Sequence, residues 1–110
     1  MESHCDIPPG TLYMLILKTL ARLGPMHGYG IAQHIQRMSE DVLQVEEGSL
    51  YPALQRMLVK GWVVAEWSQS DNNRRARYYK LTPAGRKQLA HELREFGQVM
   101  GAIARVIEAV

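Results

Sequence analysis

Three guanidinium groups crowd one short stretch of this sequence: Arg74, Arg75 and Arg77 follow directly on the polar run Ser70-Asp71-Asn72-Asn73. Guanidinium forks grip phosphate or carboxylate oxygens in pairs, and on a nucleic acid they do so whatever the base sequence. The stretch from Asn72 to His91 adds Lys80, Arg86 and Lys87 and contains no acid, so it carries +6 inside a chain of formal charge +2. The remaining residues balance 7 basic against 11 acidic side chains. Such asymmetry points to an anionic polymer or surface as partner, set against the plainer reading of a solvated face. Tyr78 and Tyr79 interleave aromatics with the cations, and neighbours on a strand face opposite ways, so one of them belongs to the core.

Other chemistries are poorly served. His4-Cys5-Asp6 contains metal-ligand types, but adjacent residues cannot readily converge on one ion and no spaced His or Cys set completes them. His27 and His34 stand without a nucleophile signature, and Gly28-Tyr29-Gly30 lacks the third glycine of a dinucleotide loop. Neither catalysis, nor a cofactor, nor a metal is expected. Cys5 is the only cysteine, so no internal disulfide is available. The longest nearly apolar stretch, Leu12 to Leu17, falls short of the roughly 18 residues of a membrane span, and Met1-Glu2-Ser3-His4 has no basic leader region. A cytoplasmic protein with no membrane partner is expected. At 110 residues, 46% hydrophobic and 22% charged, the chain reads as one ordinary globular domain.

The elements that must position the arginines follow from periodicity and punctuation. Residues 1–10 read as a flexible N-terminus. Thr11 is a plausible cap for a helix from Leu12 to Leu23, with Leu12, Ile16, Leu20 and Leu23 as one stripe and Tyr13, Met14, Leu15 and Leu17 at its edge or off it. A helix this apolar implies two buried faces, one inside the domain and one against a partner surface. After the turn Met26-His27-Gly28, a second helix from Tyr29 to Met38 buries Ile31, Ala32, Ile35 and Met38. Val42 to Val45 allows a brief strand. Ser49 then caps a third helix, whose inner stripe is Leu50, Leu54, Met57 and Leu58 and whose exposed flank carries Tyr51 and Gln55; Pro52 falls within its first turn. Trp62 to Trp67 and Arg74 to Leu81 form a hairpin, and Thr82-Pro83 opens a last helix that nothing stops before Val110.

The predicted fold is mainly α with a small β-hairpin: a winged helix-turn-helix over residues 11–82 and a C-terminal dimerisation helix over 83–110. In that arrangement the third helix enters the DNA major groove and the hairpin touches flanking backbone. Three blocks carry a closer likeness: Leu23-Gly24-Pro25-Met26-His27-Gly28-Tyr29-Gly30, Glu47-Gly48-Ser49-Leu50-Tyr51-Pro52-Ala53-Leu54 and Arg77-Tyr78-Tyr79-Lys80-Leu81-Thr82-Pro83-Ala84-Gly85. Their order over Thr11 to Leu89 resembles the short form of the PadR-like transcriptional regulators. The resemblance implies a non-enzymatic dimeric repressor on a palindromic operator in double-stranded DNA. It implies Ser49, Tyr51 and Gln55 as recognition-helix contacts and Arg74, Arg75 and Arg77 as backbone contacts. Gly30 departs from the pattern, since the family more often has a polar or charged residue there. The competing reading is the same fold as a protein-interaction or RNA-binding module.

In the tail, Leu89, Leu93, Phe96, Met100, Ile103, Ile107 and Val110 recur at alternating steps of four and three, a heptad seam that expects a second copy of the chain. Tyr13, Met14 and Leu17, if they meet the tail of the second copy near Phe96 and Met100, would line an adaptable apolar pocket at the dimer junction. The resemblance implies a small aromatic or drug-like effector near such an interface.

Overall fold

The computed structural model describes residues 5–7, 10–69 and 74–109. Along the chain run β1 (Cys5–Asp6), α1 (Leu12–Leu23), β2 (Met26–His27), α2 (Gly28–Met38), β3 (Leu43–Gln44), α3 (Glu47–Val59), β4 (Val63–Gln69), β5 (Arg75–Leu81) and α4 (Pro83–Glu108). α1 is the hub. It meets α2, α3, α4 and β5, so its apolar residues are covered by elements of its own domain rather than by one domain face and one outside partner. Burial nevertheless departs from the single expected stripe: Met14 and Leu17 join Ile16 and Leu20 inside, whereas Leu23 is exposed. Four neighbours surround α1, so a residue off the stripe for one of them lies on the stripe for another. Ile31, Leu50, Leu54, Met57 and Val63 complete a core closed to water, and burial of side chains this size is the main term holding the domain together.

The hairpin belongs to a three-stranded sheet of order β2-β5-β4, not to a free two-stranded ribbon. β4 and β5 pair antiparallel from Val63 opposite Leu81 to Gln69 opposite Arg75. Met26 and His27, expected as a turn, pair with Tyr79 and Tyr78 and so anchor the wing to the start of α2. Tyr79 and Leu81 face the core while Lys80 between them is exposed, the alternation a half-buried strand requires. The turn residues 70–73 lie outside the described residues.

Helix starts differ from the sequence reading. α2 begins at Gly28 because His27 caps it, its Nδ1 accepting a hydrogen bond from the Gly30 N–H at 2.9 Å. Ser49 does not cap α3. The Glu46 carbonyl accepts from the Ser49 and Leu50 N–H groups at 3.0 and 2.9 Å, which makes Glu46 the cap and puts Glu47 in the first turn, where a carboxylate favours the helix dipole. Pro52 therefore lies inside α3, beyond its first turn, and Gly48, whose carbonyl loses the donor that Pro52 lacks, is exposed. Within the N-terminal segment Cys5–Asp6 pair parallel with Leu43–Gln44. Residues 1–4 and 8–9 lie outside the described residues.

α4 is fastened to the base of the wing. The Thr82 hydroxyl donates to the Gly61 carbonyl at 2.6 Å and accepts from the Gly85 N–H at 3.0 Å. A Cβ at Gly85 would overlap the Trp62 carbonyl oxygen, so only glycine lets the helix start this close to the strand. Of the whole helix only Gly85 and Leu89 are buried.

Candidate nucleic-acid interface

The buried side of α3 is Leu50, Ala53, Leu54 and Met57, which leaves Tyr51, Gln55, Pro52, Val59, Arg56 and Ser49 outward. Tyr51 and Gln55 stand one turn apart on one flank, and Ser49 and Arg56 share the far flank. The three expected readers are thus on one exposed surface but not on one edge. Tyr51 lines a groove with the three wing arginines, whereas Ser49 lines a separate cleft with Pro52 and Arg56.

The Tyr51 ring is seated over Gly28, where an added Cβ would approach its Cε1 to 2.8 Å. The glycine at the start of α2 thereby lets α3's outward tyrosine lie flat across the helix junction. Burial, then the Glu47 carboxylate, then Tyr79 raise the Tyr51 hydroxyl above its ordinary pKa, so at neutral pH it is a hydrogen-bond donor toward acceptor atoms of a ligand.

On the wing, Arg74 and Arg75 are exposed and Arg77 is half-buried. Arg75 lies over the Trp67 ring at 5.2 Å and Arg77 over the Tyr79 ring at 5.8 Å. A guanidinium held over an aromatic ring loses rotamer freedom before a ligand arrives, which favours binding. Trp67 itself is 61% exposed. His27, Tyr29, Gln33 and Trp67 line the same groove and were not singled out as site residues from the sequence. For Trp67 a signal existed, since strand register places it directly opposite Arg77. For Tyr29 none did, because its role depends on the approach of α2 to the wing.

The family model described as Transcriptional regulator PadR-like family matches residues 16–91, most of this chain. The chain belongs to the PadR-like family of transcriptional regulators. A transcriptional regulator of Mycobacterium tuberculosis is 36% identical over 69 residues, 63% of this chain and 61% of that protein. The crystal structure of a PadR family transcription regulator from hypervirulent Clostridium difficile is 29% identical with a TM-score of 0.76, covering 89% of this chain and 99% of the other. The structure of a transcriptional regulator from Clostridium thermocellum superposes with a TM-score of 0.82 at 24% identity, covering 90% and 95%, a likeness of fold. The protein is a DNA-binding transcriptional regulator of winged-helix fold and not an enzyme.

Gly30 packs against Met26 and His27, and an added Cβ would come to 2.9 Å of Met26 Cγ. Leu89 leaves the proposed seam: it is buried in the domain core, because α4 still runs alongside α1 there. Leu93, Phe96, Met100, Ile103 and Ile107 are exposed, as are Val99 and Val106 on the adjoining face; Val110 lies outside the described residues. Met14, Phe96 and Met100 line a groove of about 590 Å³ between α1 and the α4 of the same chain. Tyr13 does not. It turns the other way, edge-on to Trp62 at 5.6 Å and accepting a hydrogen bond from Arg56 Nε. Leu17 is closed off in the core and unavailable to any ligand. No helix among the described residues is long and apolar enough to cross a membrane, and among them no three His, Cys, Asp or Glu side chains gather as a metal site.

Proposed function

We propose that the chain acts as a homodimeric repressor that reads a palindromic operator. The observation that carries this is a division of the surface. Tyr51 and the wing arginines line one groove and Gln55 is exposed one turn along α3 from Tyr51, while α4 from Leu93 onward exposes Leu93, Phe96, Val99, Met100, Ile103 and Ile107, an apolar face that its own domain leaves uncovered. Apolar side chains at heptad spacing on a 26-residue helix fit a second copy of the same helix. Two copies would present two recognition helices to half-sites about one helical turn apart, or a multiple of that. In each half-site Tyr51 and Gln55 read base edges, Ser49 sits at the margin, and Arg74, Arg75 and Arg77 hold phosphates.

The test is footprinting on DNA upstream of the protein's own coding region, followed by titration of the protected duplex across a salt series. The expected result is two symmetric protected half-sites, binding by a dimer and a steep loss of affinity with salt. Binding indifferent to salt would favour a protein-interaction module instead. The groove between Met14, Phe96 and Met100 supports a further element of the proposal, a small aromatic effector that alters DNA binding by favouring one spacing of the two recognition helices.

A further inference from the structure

We propose that Tyr29, held by Gln33, is a neutral anchor for the phosphate backbone of bound DNA, on the α2 side of the groove that the wing arginines line. The proposal rests on the DNA-binding reading above and extends it to residues on a different element.

Tyr29 is the second residue of α2 and 63% exposed. Its hydroxyl accepts a hydrogen bond from Gln33 Nε2, one helical turn on, at 2.9 Å. With a lone pair engaged there, the phenolic proton is left to be donated elsewhere. The His27 imidazole lies nearly parallel to the phenol, with 24° between planes and 6.5 Å between centroids. The ring is therefore restrained on one face and at its tip, although its own helix is at the surface. Tyr29 and Gln33 share their groove with Arg74, Arg75 and Arg77, and no Asp or Glu is among the described residues lining it. An oriented O–H donor in such a groove suits an anionic oxygen. A phosphate is favoured over a base edge because Tyr29 stands on the helix that, in this motif, crosses the backbone while α3 enters the major groove.

A phenol carries no charge, so it strengthens binding without displacing a counterion. That separates it from the arginines in a salt titration. Tyr29→Phe keeps the ring and its stacking and removes only the hydroxyl. The intact protein is titrated by fluorescence anisotropy against two duplexes, one selected by the wild-type protein from a random pool and one scrambled to the same composition. Both affinities are expected to fall by the same factor, about tenfold, with the salt slope at its wild-type value. Arg75→Ala, in contrast, flattens that slope by about one. Tyr29→Phe affinities within about twofold of wild type on both duplexes would overturn the anchor. A loss confined to the selected duplex would also overturn it, by making Tyr29 a base reader. If the wild-type protein bound neither duplex in a salt-dependent way, the DNA-binding reading itself would fall and this one with it.

Gln33→Ala tests the positioning. It is expected to cost about threefold alone and nothing further in the Tyr29→Phe background, because Gln33 acts through the phenol. Additive losses would assign Gln33 a contact of its own and overturn its positioning role. Both side chains are exposed, so neither substitution threatens the fold.

Discussion

α1 and α4 carry the same kind of apolar periodicity and meet opposite fates. In α1, 12 residues long, Met14, Ile16, Leu17, Thr19 and Leu20 are buried by the rest of the domain. In α4, 26 residues long, burial ends at Leu89, and from Leu93 onward the apolar side chains are exposed. Periodicity reports that a helix has an apolar face; only the arrangement of neighbours reports what covers it. Where the neighbours run out, the uncovered face is a statement about partners.

The largest expected effect tests the covered side of this contrast. Leu17→Ala removes a fully buried side chain amid four packed elements and should cost about 2–5 kcal/mol in denaturant unfolding, with loss of cooperative folding as the extreme. Phe96→Ala on α4 should cost an isolated subunit far less. If the two were equal in dilute, monomeric protein, the contrast between the helices would collapse.

Next comes the uncovered side. Leu93→Asp with Ile103→Asp should leave the subunit folded and monomeric by light scattering, with operator affinity lower by on the order of 100-fold because two half-sites no longer act together. A chain ending at His91 should do the same. Its end must lie beyond Leu89, because that residue is part of the core and its removal would confuse unfolding with dissociation. A tight dimer in either variant would refute the role assigned to α4.

Smaller effects divide the DNA-facing surface. Changing Arg74, Arg75 and Arg77 together to Ala should weaken operator and unrelated duplexes alike and flatten the salt slope by roughly three. Gln55→Ala should instead cost about 1–3 kcal/mol of discrimination between operator and mismatched duplex, with the salt slope kept. An equal loss on every duplex would move Gln55 to the backbone.

How much of this was legible in the sequence depends on the distance over which each feature is decided. The hairpin, one inward tyrosine of the pair and the cap at Thr82 follow from alternation and local chemistry; that the inward one is Tyr79, and that the first strand runs on to Gln69, is decided by the register of β4 on β5. The start of α3 is not legible from residue type, because Ser49 is the better cap by type whereas backbone conformation at Glu46 decides where the helix begins. Met26–His27 gave no strand signal, since two residues join a sheet only when β5 is already beside them. Tyr13 packs toward Trp62 and Leu17 into the core, directions that α1's periodicity alone does not fix. Which way a side chain points from α1 is settled by contacts with Trp62 and Arg56, more than 40 residues away in sequence.

The smallest effect is expected where the two helices meet. Met14 is buried at 7% exposure yet reaches the groove shared with Phe96 and Met100, so it belongs to the covered helix and to the uncovered one at once. Met14→Leu keeps nearly the same volume, and such exchanges cost less than about 1.5 kcal/mol, so stability and operator affinity without ligand should hardly change. The substitution does replace an unbranched, polarizable thioether by a stiffer branched chain, and adaptable apolar sites draw on that flexibility. If the groove accepts planar aromatic compounds, those that raise the melting temperature of the wild-type protein should raise that of the variant less at equal concentration. Identical shifts in both proteins would place the compounds elsewhere. No shift in the wild type with any aromatic class would leave Met14 as packing alone, and the meeting of α1 and α4 as a purely structural joint.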